Sequence, residues 1–244
     1  MLWQQLARTR TSPSARQRFR EGVERIAAGT RMPDGRLAVP ALLEASERFR
    51  DPQFVPWLLR RAARVAGTGT EKLESRAAAV EAILRLATAD QLAAARRAVA
   101  EYGTQHNAPA GYERLESPRL EQAEALLRAC TDDAACYLRR LTGDAVREGP
   151  GEFTGIKAAL MIGVLGDALA AERLAAQLGQ MESRAVQVES LLSIDHLLER
   201  GSAEAVQRLT EHLNRLQAGA DARSRELVPL LRLTRRRLEG RITR

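Results

Sequence analysis

The chain resembles itself at a regular interval, and this internal repetition limits its possible folds more than any other feature. Residues 74–86 read ESRAAAVEAILRL and residues 182–194 read ESRAVQVESLLSI, so seven of thirteen positions match at an offset of 108 residues, three times 36. Self-similarity with a period of about 20 to 50 residues is typical of solenoids and other repeat arrays. The sequence therefore predicts a stack of similar units, each of which buries its apolar face against its neighbours.

Helix-forming residues dominate the sequence, whereas residues that favour strands are scarce. Aromatic residues make up only 4% of the chain, and Ala, Leu, Arg and Glu are strong helix formers. Between turn signals the apolar residues keep a helical period, as Ala78, Ala82, Ile83 and Leu86 do. We predict an all-α fold, a right-handed α-solenoid of about six antiparallel helical pairs. The predicted helices are 13–28, 37–49, 52–66, 71–87, 89–102, 118–129, 133–142, 152–165, 167–179, 182–200, 202–216 and 222–239.

Turn signals place the ends of several predicted helices. Ser117 precedes Pro118, and a capping residue before a proline predicts that a helix starts there. Thr88 and Gln91 have the spacing of a capping box, and Asp167 is predicted to be an N-cap. These signals predict short turns between the helices, which is the arrangement of helical hairpins.

The predicted repeats do not cover the whole chain evenly. Residues 1–35 are predicted to form a basic N-terminal helix that caps the array, and residues 36–244 are predicted to hold the repeats. The longest interruption is 103–117, which contains Pro109 and Gly111. This interruption is the candidate for an inserted loop or a soft domain boundary.

One segment carries a pattern that points to a known class of repeat. Residues 157–167 read KAALMIGVLGD, a basic residue followed by paired alanines and then Leu-Gly, and a Val-Pro pair at 55–56 precedes a leucine pair at 58–59. This pattern resembles the HEAT-repeat family, over roughly 36–240 and most clearly over 152–216. The resemblance implies a HEAT-like solenoid and specifies architecture more than function.

The charge of the chain is uneven along its length. The formal net charge is +7 and the isoelectric point is about 10.3. Residues 1–65 carry 13 arginines against 6 acidic residues, residues 66–231 have a balance of −5, and residues 232–244 carry 6 arginines against one glutamate. A site for a polyanion would show a dense basic stripe with interleaved aromatic residues. The near-absence of lysine instead indicates an arginine preference typical of a GC-rich genome, so nucleic acid is the less favoured partner.

The sequence contains no recognisable arrangement of catalytic residues. His106, His196 and His212 share no metal-ligand spacing, and there is no Gly-x-Ser-x-Gly elbow. Residues 67–72, GTGTEK, lack the Gly-Lys-Ser/Thr ending of a phosphate-binding loop. We therefore predict that the chain is not an enzyme and has no catalytic, metal or cofactor site.

The two cysteines of the chain, Cys130 and Cys136, have five residues between them and no metal partners at usable spacing. A disulfide across the predicted corner between two helices would suit an exported protein, whereas two reduced thiols would suit the cytoplasm. No run approaches the roughly 18 apolar residues of a membrane span, and residues 1–10 do not resemble a secretion signal. We expect a cytoplasmic protein, with export as the alternative if the cysteines are bonded.

Basic residues recur at or near the start of the predicted second helices, namely Arg76, Lys157, Arg184 and Arg225. They are the candidate partner-binding residues, as a basic ladder on the concave face, unless each pairs with an acidic residue of the preceding turn. We predict a non-catalytic scaffold that binds an unidentified protein partner. The alternatives are nucleic-acid binding through arginines, as in HEAT-like DNA glycosylases, and an accessory role beside an enzyme.

Overall fold

The structure, a computed structural model, describes residues 52, 55–56, 58–59, 80–105, 112–198 and 203–218. Every regular element in these ranges is helical, which confirms the all-α prediction for this part of the chain. Short 3-10 turns cover Ala89–Gln91, Gly143–Val146 and Leu178–Gln180, and residues 80–86 are helical. The α-helices are α1 (Leu92–Gln105), α2 (Tyr112–Cys130), α3 (Ala134–Arg140), α4 (Glu152–Leu165), α5 (Ala168–Gln177), α6 (Arg184–Leu198) and α7 (Ala203–Ala218).

Several predicted helix starts are confirmed by capping contacts. Thr88 and Gln91 form the expected capping box, in which the Thr88 N–H donates to Gln91 Oε1 at 3.2 Å. At the start of α5, Asp167 Oδ1 accepts a hydrogen bond of 2.9 Å from the Ala170 N–H, and Asp133 caps α3 in the same manner. The turn residues of this sequence thus place these helix ends through contacts made within three positions.

The predicted helix start at Pro118 is wrong, because α2 begins earlier at Tyr112 and continues through the proline. An internal proline removes one backbone hydrogen bond. Pro118 is exposed to solvent, so its ring displaces no packed neighbour. Helix therefore occupies much of the predicted 103–117 interruption, and residues 106–111 lie outside the described ranges.

The chain divides into two compact units, Met1–Glu124 and Ala125–Arg244, and the division falls inside α2. In the first unit, the Arg96 guanidinium binds the Glu124 carboxylate through two nitrogens. The Gln91 side-chain amide also donates to the Pro52 carbonyl at 3.1 Å. These contacts join residues 28 and 39 positions apart in sequence.

The second unit is built from consecutive helix pairs that also contact the next pair. α3 packs on α4, and α5 packs on α6. The most extensive packing joins α4 to α6, and α5 further contacts both α3 and α7. Every residue from 157 to 163 is buried, so α4 is enclosed on all sides over this stretch.

Two glycines allow α4 to approach its neighbours closely. A Cβ added to Gly155 would collide with the Ala145 carbonyl oxygen and would lie 2.9 Å from Val186 Cγ2. A Cβ added to Gly163 would lie 2.6 Å from Ser193 Oγ. Because these distances leave no room for a methyl group, α4 lies close to the 143–146 turn at Gly155 and close to α6 at both glycines.

Candidate functional site

The four basic residues predicted to bind a partner have different placements. Lys157 on α4 has 0% exposure, whereas Arg184 at the start of α6 is exposed. Arg76 and Arg225 lie outside the described residues. Lys157 and Arg184 therefore do not share an exposed face, and contact between Arg184 and a partner stays a prediction.

Lys157 belongs to a buried polar cluster at the interface of α4 and α6. Burial lowers the pKa of Lys157 from 10.5 to about 7, because the protein interior disfavours the ammonium form. The carboxylate of Glu189, which is 7% exposed, opposes this effect and raises the same pKa. The remaining polar members on and just before α6 are Ser183, Ser190, Ser193 and His196.

Hydrogen bonds of this cluster join the two helices. Ser193 Oγ donates to the Ala159 carbonyl oxygen at 2.7 Å. Ser183 Oγ donates to Glu152 Oε1 at 2.6 Å and accepts a bond of 3.2 Å from the backbone N–H of Val186. Because Ser183 and Ser193 are fully buried, their geometry suits them to hold α4 and α6 together rather than to meet a ligand.

The two cysteines flank the corner between α2 and α3. Cys130 and Cys136 lie at disulfide distance, with their Cα atoms 5.3 Å apart. Tyr137 is buried beneath the same corner, and its hydroxyl donates to the Thr131 carbonyl oxygen at 2.6 Å. Thr131 has a φ of 43°, a left-handed conformation that is uncommon outside glycine. The Cα separation of the pair therefore fits the possible disulfide rather than two distant thiols.

An open groove lies beside this corner, between the end of α3 and the start of α4. It has a volume of about 630 Å³. The side chains that give it chemical character are Cys136, Arg139, Arg140, Thr142, Asp144 and Thr154. This groove was not predicted from the sequence, because its lining residues are scattered from 136 to 154 and only the consecutive arginines at 139–140 indicate it.

The ion pairs around the groove are exposed to solvent and therefore weak. Arg139 Nη2 lies 3.3 Å from Asp133 Oδ2, with both side chains more than half exposed. The Asp144 carboxylate lies 3.8 Å from a guanidinium nitrogen of Arg147. Arg140 forms no ion pair with any residue of the ranges that the structure describes. Exposed pairs of this kind contribute about 0 to 1 kcal/mol, so a ligand could replace them at small cost.

The histidines and acidic residues of the described ranges do not assemble a metal site. His196 is 8% exposed on α6, and His212 Nε2 lies 3.1 Å from the Ala175 carbonyl oxygen. His106 lies outside the described residues. Within the helices that the structure describes, none combines the length and apolar content needed to cross a membrane.

Comparison with known proteins gave no match: no family model, no curated protein and no solved structure is similar to this chain. The resemblance to HEAT repeats therefore rests on the residues and internal repeats of this chain alone.

Proposed function

We propose that the chain is a non-catalytic scaffold that binds another protein through the surface of a HEAT-like α-solenoid. The observation that carries this proposal is that side-chain contacts between helices recur at about one repeat length. The three contacts, at sequence separations of 34, 36 and 37 residues, join Ser193 to Ala159, Arg208 to Glu172 and His212 to Ala175.

These separations agree with the spacings of 34 and 35 residues between the predicted first helices near 133, 167 and 202. The three contacts support a stack in which equivalent positions of successive pairs touch each other. The packing of α4 on α6, and of α5 on both α3 and α7, follows the same order. A stack of this kind presents an extended surface, and such surfaces serve in binding.

The use of the polar residues also supports a scaffold. The buried serines bond across the interface of α4 and α6, and Lys157 and Glu189 are enclosed at the same interface. Exposed groups such as Arg184 and Leu169, which is 53% exposed, lie on the surface that a partner would meet. A single exposed leucine is common on protein surfaces and does not by itself indicate a binding site. The predicted contact with a partner is therefore tested at Arg184.

The test is quantitative affinity capture with the full chain and two charge-reversal variants. Arg184→Glu changes the predicted contact, and Arg173→Glu changes another exposed arginine, on α5, as the matched control. We expect the wild type and Arg173→Glu to retain the same protein, and Arg184→Glu to retain about tenfold less. The retained protein should then form a binary complex with the purified chain.

Two outcomes would contradict the proposal. Retention of no protein above the bead background would remove the scaffold function. Tight binding of a generic DNA duplex, with an affinity that falls steeply as salt rises, would replace it with nucleic-acid binding.

A further inference from the structure

We propose that the groove between α3 and α4 binds the phosphate group of a small anionic ligand, held by Arg139 and Arg140. This inference is independent of the scaffold function, since it concerns one groove in the second unit. It rests on the cavity, on the two guanidinium groups that line it, and on the hydroxyl groups beside them.

The size of the groove fits a small molecule. Its volume of about 630 Å³ lies within the roughly 300 to 1,000 Å³ of typical ligand pockets. Free phosphate would fill only a fraction of this space, so we infer a phosphate group attached to a larger ligand. The turn before α4 shapes one wall: a Cβ at Gly151 would lie 2.7 Å from the Asp144 carbonyl oxygen. The turn is therefore folded tightly against the start of the helix.

The lining residues match the chemistry of a phosphate group. Arginine presents planar pairs of N–H donors that bind two oxygens of one phosphate at once. Arg139 and Arg140 end α3 and line the groove together, and neither is buried. Thr142 and Thr154 add hydroxyl groups to the same groove. Thr142 Oγ1 now donates to the Arg139 carbonyl at 3.4 Å, a long bond that its hydroxyl can exchange for a ligand oxygen.

The acidic residues near the groove do not cancel this preference. Asp133 contacts Arg139 across an exposed ion pair of 3.3 Å. Asp144 lines the groove, but its carboxylate is 91% exposed and lies 3.8 Å from Arg147, which is shared with Glu182 at 3.7 Å. Arg140 has no acidic partner within the described ranges, so its charge is available to an incoming anion.

The test is calorimetric titration of the intact chain with sodium pyrophosphate at low ionic strength, and with sodium chloride at matched ionic strength as the blank. We expect saturable binding to the wild type that weakens as salt is added. Arg140→Gln should weaken binding about tenfold, as expected for the loss of charge-assisted hydrogen bonds. Thr154→Val, which leaves the charge unchanged, should weaken it severalfold.

The control variant is Arg173→Gln, which removes one exposed positive charge on α5 and leaves the groove intact. It should bind pyrophosphate as the wild type does. Circular dichroism spectra of all variants should coincide, because each substitution lies outside the core. Absence of saturable binding to the wild type would overturn the proposal. Equal weakening by Arg140→Gln and Arg173→Gln would also overturn it, since it would indicate attraction by net charge alone.

Discussion

Replacement of Lys157 by methionine should change how the stability of the protein depends on pH. Lys157 is fully buried between α4 and α6, and burial lowers its pKa from 10.5 to about 7. In the unfolded chain this pKa returns to its ordinary value. Methionine fills similar space without titrating, so a comparison of the two proteins isolates the proton of Lys157.

The sign of the effect follows from the two pKa values. Between pH 7 and 10.5 the unfolded chain holds a proton that the folded chain has released, so the free energy of unfolding rises with pH. The slope is at most about 1.4 kcal/mol per pH unit, and the whole window amounts to about 5 kcal/mol. Below pH 7 the folded state bears the full cost of the buried charge, and above pH 10.5 that cost vanishes.

The assay measures urea unfolding by circular dichroism at several pH values between about 6.5 and 9.5. This range begins just below the pKa of Lys157 in the folded protein and covers most of the interval in which the free energy of unfolding should rise with pH. The advantage of Lys157→Met over the wild type should fall by about 1 kcal/mol per pH unit above pH 7.5. Arg184→Met, which removes an exposed positive charge, should track the wild type at every pH.

Parallel pH profiles for wild type and Lys157→Met would refute this reasoning. They would mean that Lys157 keeps its proton in the folded protein, and that Glu189 and the surrounding serines compensate its burial.

Three further variants test other contacts. Gly155→Ala should lower the free energy of unfolding by about 1 to 3 kcal/mol through overpacking, and unchanged stability would contradict the close contact of Gly155 with the Ala145 carbonyl. Joint replacement of Cys130 and Cys136 by serine should cost about 2 kcal/mol without reductant. The wild type in dithiothreitol should lose the same amount, and equal stability of bonded and serine forms would contradict the cross-link. Tyr137→Phe removes the hydrogen bond to Thr131 and should cost about 1 kcal/mol by urea unfolding; no loss would indicate that water replaces it.

Much of the helical framework could be predicted from local sequence. Capping contacts join residues at most three positions apart, as in the capping box of Thr88 and Gln91 and the N-cap Asp167. They can therefore be predicted from the local sequence without knowledge of the tertiary structure. The helix start at Pro118 could not be predicted in this way, because a proline in the first turn and an exposed proline inside a helix leave the same sequence pattern.

Lys157 shows where sequence reasoning stops. Its position near the start of a predicted second helix made it a candidate member of a basic ladder with Arg184, yet every residue from 157 to 163 is buried. A helix enclosed on all sides has no polar face from which the orientation of one side chain can be inferred. Only the packing of α4 against α6 decided that this lysine lies inside.

The sequence by itself therefore determined that the described part of the chain is helical, and where most of its helices begin, because these properties depend on periodicity and on neighbours a few residues away. The tertiary structure decided which side chains meet. The contact of Ser193 with Ala159 spans 34 residues, and the groove joins Arg139 to Thr154 across a turn. Such contacts depend on how closely the helices approach each other. The glycines of α4 permit a close approach, but the local sequence does not show which helix lies against them.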